Sequence, residues 1–265
     1  MYNQWQIAIR YLKYWITASN GRGHGIHSPF VFEWITRVLQ DDRKFYAYAS
    51  IEQQRELLLH NNQLLEVKDL GAGSRSGSLL QRKVSSVAAQ SLKPPKYAQL
   101  LFRMVHFYEC RQVLELGTCL GITTSYLSTA SDQVKVITLE GVEAYAKTAN
   151  SVFTALDLNQ IQLVLGNFDD TLSEVLKKNP SFDFVFIDGN HRQEPTLRYF
   201  EQILPNLHAN SMVVLDDIHW SSEMEMAWNT IREHPSVTLT LDLFFIGIVF
   251  LRKEQQQKEH FVIRY

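Results

Sequence analysis

Two stretches of this sequence place chemically capable side chains close together: Asp183 to Arg192, reading DFVFIDGNHR, and Val213 to Trp220, reading VVLDDIHW. Each begins as a short apolar run of strand character and then breaks into polar residues, so its acids stand where a strand ends. In a doubly wound sheet the carboxyl ends of adjacent central strands face one crevice, which would bring Asp188, Asp216 and Asp217 together. Three carboxylates in one crevice repel. A cation relieves that repulsion, and an all-oxygen donor set suits a hard divalent ion, Mg²⁺ before Mn²⁺ or Ca²⁺. The same residues are open to a plainer arrangement, with Asp216 and Asp217 capping a helix that starts near Ser221 and Asp188 accepting the amides of its own turn. His219 fits either picture, as a support for the acids or as a helix-start residue. Trp220 could stack on an aromatic or sugar ligand, or be a partly exposed core residue.

Ahead of these acids lie two glycine loops, each preceded by an apolar run: Val67 to Gly77 (VKDLGAGSRSG) and Val113 to Gly121 (VLELGTCLG). A cofactor loop needs glycine where backbone passes close to the ligand, and an acid at the end of the next strand to accept hydrogen bonds from ribose hydroxyls. Only the second loop has that sequel, a helix-like run from Ile122 to Ala130 and then a strand ending at Glu140. Gly117, Thr118, Gly121 and Glu140 are therefore the candidate cofactor residues. The loop lacks the middle glycine of G-x-G-x-x-G that admits a pyrophosphate, which disfavours a nicotinamide dinucleotide. Glu115 lies inside the strand and either orients the loop, reaches the cofactor's amino group indirectly, or is a paired buried carboxylate. The first loop leads into Arg75, Arg82 and Lys83 with no terminal acid in reach, and reads as a structured turn.

The elements that must carry these residues follow from the alternation of short apolar runs with helix-like stretches after Gln112, which specifies βαβ units and an α/β fold. Candidate strands are Val113 to Leu116, Val134 to Leu139, Ile161 to Leu165, Phe182 to Ile187 and Met212 to Leu215. Val237 to Leu243 and Phe245 to Leu251 have almost nothing between them and must be antiparallel neighbours. Residues 1–110 read as a mainly helical extension, which could include a lid over the active site, and 111–265 as the catalytic domain. Within the extension, Trp5, Ile9, Leu12 and Ile16 recur at helical spacing. That stripe suits packing on its own domain or on a dimer mate, and also a membrane surface.

From Gln112 onward the chain resembles the class I S-adenosylmethionine-dependent methyltransferases, whose Rossmann-like, seven-stranded, mostly parallel sheet ends in an antiparallel hairpin. The acid pattern is closest to the metal-dependent O-methyltransferases of the catechol and macrolide-sugar type. The resemblance implies S-adenosylmethionine on the Gly117 to Gly121 loop, with Glu115 and Glu140 beside it. It implies that Asn167, Phe168 and Asp169 flank the adenine, and that Asp188 lies at the cofactor's reactive end. It further implies Mg²⁺ on Asp188, Asp216 and Asp217, and His191 as general base. Such a metal would acidify and orient an acceptor hydroxyl, and a histidine near neutrality could take its proton.

Composition narrows the partners. The 265 residues are 45% hydrophobic and 20% charged, those of an ordinary globular chain with a sizeable core. A net charge of −2 offers no field for a phosphate backbone, so a small-molecule acceptor is expected and nucleic acid is not. Cys110 and Cys119, the two cysteines, do not form a disulfide framework. With no apolar run long enough to span a bilayer, a cytoplasmic protein, open to homodimerisation, is expected. Two other functions remain open: a methyltransferase acting on a macromolecule, and a catalytically idle domain of the same fold used for binding.

Overall fold

The computed structural model describes residues 1–68, 79–255 and 257–265. The first glycine loop, from Asp69 on, lies outside the described residues. Packing groups the chain into two compact units, one made of Met1–Asp41 with Asn179–Tyr265 and the other of Asp42–Lys178. The division at residue 110 is one of role, and packing groups the residues differently.

Met1–Asp41 holds α1 (Gln4–Thr17) and α2 (Pro29–Trp34), which runs into a π-helical turn at Ile35–Leu39. Helix α1 starts at a capping box: Asn3 accepts from the Gln6 amide, and the Gln6 side chain accepts from the Asn3 amide. Two of the orphan amides of a helix start are thereby satisfied. Pro29 opens α2 as the sequence suggests, at the first helical position where a missing N–H costs nothing.

Asp42–Lys178 contains α3 (Tyr46–Leu59), β1 (Leu64–Lys68), β2 (Leu79–Lys83), α4 (Val84–Ser91), α5 (Pro95–Phe107), β3 (Gln112–Leu116), α6 (Ile122–Ser128), β4 (Lys135–Glu140), α7 (Glu143–Ala155), β5 (Ile161–Leu165) and α8 (Phe168–Lys178). Strands β3, β4 and β5 lie side by side and parallel, with Leu116 opposite Leu139 and Glu140 opposite Leu165. Strand β3 is buried along Val113–Leu116, the continuous apolar run of a parallel strand covered on both faces. The extension expected to be mainly helical over residues 1–110 also holds β1 and β2, which form a two-stranded antiparallel sheet. Glu66 and Lys68 alternate with apolar residues in β1, and Gln81, Arg82 and Lys83 follow one another in β2, so this polarity hides the strands from a search for apolar runs.

Asn179–Tyr265 contains β6 (Phe182–Ile187), α9 (Gln193–Ile203) ending in a 3₁₀ turn, β7 (Leu207–Asp216), α10 (Ser222–Glu233), β8 (Leu239–Asp242), β9 (Ile246–Phe250) and β10 (Glu259–Val262). The strand order is β10-β8-β9-β7-β6. Strands β6 and β7 are parallel, with Ile187 opposite Leu215, while β9 runs antiparallel to both β7 and β8. The expected closing hairpin is thus present. Strand β10 adds a further parallel edge beyond it, pairing Glu259–Val262 with Leu239–Asp242, so the strands exceed the seven expected. The architecture is α/β and mostly parallel.

Candidate functional site

In the unit of Asp42–Lys178, β3 delivers the chain into the second glycine loop. The amides of Gly117 and Thr118 both donate to the Leu139 carbonyl, which ties the loop to the end of β4. Gly121 has φ +84°, and a Cβ there would lie 2.7 Å from Phe153 Cε1 and 3.0 Å from Ala149 Cβ. Only glycine satisfies both the left-handed backbone and the close approach of α7. Glu140 is buried at the end of β4. Its Oε2 accepts from the Cys119 amide and its Oε1 from the Val142 amide, each at 2.8 Å. Burial raises its pKa, and the amides of Val142, Cys119 and Gly141 act against that rise. Each carboxylate oxygen has a further lone pair, so Glu140 can shape the loop and still accept from ribose hydroxyls.

Glu115 is fully buried. Its Oε2 accepts from the hydroxyls of Thr124 and Thr138, and Oε1 has no partner among the described residues. Burial pushes its pKa up to about 7, with the two threonines opposing and the charge of Glu140 adding to the rise. Thr118 is buried too, its hydroxyl bonded to that of Thr138, so Thr138 links Glu115 to the loop. Asn167 is exposed, and its side chain accepts from the Asp169 amide at the start of α8. Asp169 is exposed and Phe168 half-buried, which leaves this turn open to a ligand. Sequence reasoning missed Tyr145 on α7, whose pKa is raised by burial and by the charges of Cys119 and Glu140, with Arg82 of β2 opposing the rise. No sequence signal joins Arg82 to Tyr145, because β1 and β2 had no place in the expected fold.

In the other unit, the parallel register of β6 and β7 makes Asp188 and Asp216 emerge from adjacent strand ends. One ligand atom from each of Asp188, His191 and Asp216 comes within 4.8 Å of the other two. His191 Nε2 stands 3.6 Å from Asp188 Oδ1. The backbone turns sharply here, with positive φ at Asn190 (70°), His191 (42°) and Asp217 (53°). Such conformations cost of order 1 to 3 kcal/mol each and concentrate where function holds the chain. Asp217 does not join the group. The helix-cap alternative is also settled, since Ser221 caps α10 by accepting from the Met224 amide. Two carboxylates and an imidazole can hold a divalent ion, with the carboxylates suiting Mg²⁺ or Mn²⁺.

His219 lies outside that group. Its Nε2 meets Asp242 Oδ2 at 2.8 Å, its Nδ1 meets Glu225 Oε1 at 3.3 Å, and its ring stacks on Phe244. Burial alone would lower the imidazole's pKa; Asp242 and then Glu225 outweigh it, and the pKa is raised. Glu225 also accepts from Arg10 Nε at 3.0 Å and from the Tyr2 hydroxyl at 2.7 Å. His219 is thus a support that ties α1 to the turn after β7.

Residues 114–218 match the family model described as a methyltransferase domain. The chain is similar to a catechol O-methyltransferase of Niastella koreensis, 26% identical over 158 residues that cover 58% of this chain and 69% of that one. It is also similar to a probable O-methyltransferase of Mycobacterium tuberculosis, 29% identical over 138 residues, 45% of this chain and 58% of that one. Among solved structures, an O-methyltransferase from Bacillus cereus in complex with SAH superposes with a TM-score of 0.56 at 20% identity, over 83% of this chain and 97% of that one. That likeness carries the fold. The glycine loop closed by Glu140 and the strand-end acids lie inside the matched stretch, so residues 114–218 form a methyltransferase domain and the chain resembles the S-adenosylmethionine-dependent O-methyltransferases.

Proposed function

We propose that the protein methylates a hydroxyl of a small molecule with the help of a divalent metal, Mg²⁺ or Mn²⁺, held by Asp188 and Asp216. The observation that carries this reading is the grouping of Asp188, His191 and Asp216 at the ends of neighbouring parallel strands. A metal bound there would lower the acceptor's pKa and fix its orientation. The acceptor oxygen attacks the sulfonium methyl in line, the carbon–sulfur bond breaks with its electron pair passing to sulfur, and the hydroxyl proton goes to an imidazole nitrogen of His191. The Gly117 to Gly121 loop, with Thr118, Glu115 and Glu140, holds the methyl donor. Asn167, Phe168 and Asp169 would contact its adenine.

The distance of His191 Nε2 from Asp188 favours a second role for that ring, as a third metal donor. Metal titration by calorimetry, paired with single-turnover rates, separates the two. As base, His191→Ala lowers the rate by about 10² to 10⁴ with metal affinity intact; as ligand, it weakens the metal as Asp216→Asn does. Asp188→Asn and Asp216→Asn that bind metal as well as the parent would refute the metal reading.

A further inference from the structure

Helix α1 turns its most apolar stripe away from the unit it belongs to. It packs through Tyr14, with Ile7 and Tyr11, against Phe244 and Phe245. The residues at helical spacing lie on the other side: Trp5 is 81% exposed, Ile9 66%, Leu12 59% and Ile16 67%, with Met1 and Trp15 flanking them. On a helical projection Trp5, Ala8, Ile9, Leu12, Trp15 and Ile16 span an arc of roughly 120° without a charged residue. Exposed large apolar side chains normally occur singly, so a contiguous row marks an interaction surface.

The helix is not a loose arm that could fold its stripe back. Its start is held by the Tyr2 amide on the Trp220 carbonyl and by Tyr2 and Arg10 on Glu225. Its end is held by the Tyr14 hydroxyl on the Ile263 carbonyl and by a parallel bridge of Ser19 with Ile263. A surface fixed in this way pays little ordering entropy when it is covered.

We propose that this stripe packs against the same stripe of a second copy of the chain, making α1 the dimerisation helix. Three properties select that occupant. First, Trp5 and Leu12 fall at heptad positions a, Ala8 and Trp15 at d, and Ile9 and Ile16 at e, the broad seam of a helix that packs on a helix. Second, at about 150 to 250 Å² for each large side chain, the exposed share is on the order of 800 Å², one partner's half of a standard interface. Third, the stripe is rich in tryptophan and free of charge, the composition of an interface core. A helix lying on an anionic bilayer would instead carry a basic flank. Here Arg10 is committed to Glu225 and Arg264 to the Trp15 ring and the Ile16 carbonyl, which leaves Lys13 beside the stripe.

The test is the mass of the full chain in solution by size exclusion with light scattering, at about tens of micromolar, where an interface of this size is saturated. The parent is expected at twice the mass of one chain. Leu12→Glu with Ile16→Glu is expected at the mass of one chain, with the circular dichroism of the parent because neither residue touches the packed face. Ile9 sits at the middle of the stripe and meets its own copy in either helix direction, so Ile9→Cys should give a disulfide-linked dimer on mild oxidation that the parent does not. A parent of single-chain mass overturns the proposal, as does a dimer that survives the double substitution. Flotation of a single-chain parent with phosphatidylcholine and phosphatidylserine vesicles, lost in the variant, would assign the stripe to a bilayer and overturn it too.

Discussion

Glu115 stands close to its own titration midpoint at neutral pH, because burial outweighs the two threonine hydroxyls that favour its charge. The folded protein therefore keeps a proton on Glu115 between its ordinary value near 4.5 and about 7, where the unfolded chain has lost it. Stability contributed at this site falls as pH rises through that interval, by roughly 3 kcal/mol in all. Glu115→Gln should remove this loss. Its thermal midpoint relative to the parent should climb between pH of about 5 and 8; a constant difference would mean that Glu115 does not hold a proton. Asp188, Asp216 and Glu140 were legible in the sequence because each ends an apolar run. Asp216 and Asp217 were not separable in the sequence, because a pair of adjacent acids reads as one feature, while the fold groups Asp216 with Asp188 and His191.

At the scale of elements, β3, β4, β6 and β7 were legible because parallel strands buried on both faces are short, largely apolar runs, and β5, which is not buried, because it is nearly as apolar. Strands β1, β2 and β10 were not, since half-exposed strands mix polar with apolar residues and are fixed by partners distant in sequence. The anchoring of α1 was equally hidden, because Glu225 and Asp242 lie in α10 and β8 and meet His219 only through the fold. His219 has a raised pKa, so its stabilising contribution is fully present below its ordinary value of about 6.5 and is lost as pH rises through the folded value. The gap in thermal midpoint between the parent and His219→Gln should accordingly narrow as pH increases. Glu225→Gln, which weakens the contacts to Tyr2, Arg10 and His219 together, should cost about 1 to 3 kcal/mol and speed proteolysis ahead of α2. Unchanged cleavage would show that α1 is held by its aromatic face alone.

At the scale of the molecule, the loop residues proposed for the methyl donor belong to the unit of Asp42–Lys178 and the acid group to the unit completed by Asn179–Tyr265. The two binding events can therefore be perturbed separately. Glu140→Ala should weaken S-adenosylmethionine without changing metal affinity, and Asp216→Asn should do the reverse. Among the described residues no helix is long and apolar enough to cross a membrane, in keeping with the composition. The acceptor was not legible at any scale, since acceptor pockets are built from side chains that neither spacing nor hydropathy marks. The most direct measurement is the release of S-adenosylhomocysteine from S-adenosylmethionine with a panel of small hydroxyl compounds, run with added Mg²⁺ or Mn²⁺ and again in excess chelator. Turnover of at least one hydroxyl compound that needs the metal, and falls in Asp188→Asn and Asp216→Asn to the level seen with chelator, is the predicted result. The same rate in chelator and in metal would contradict the account.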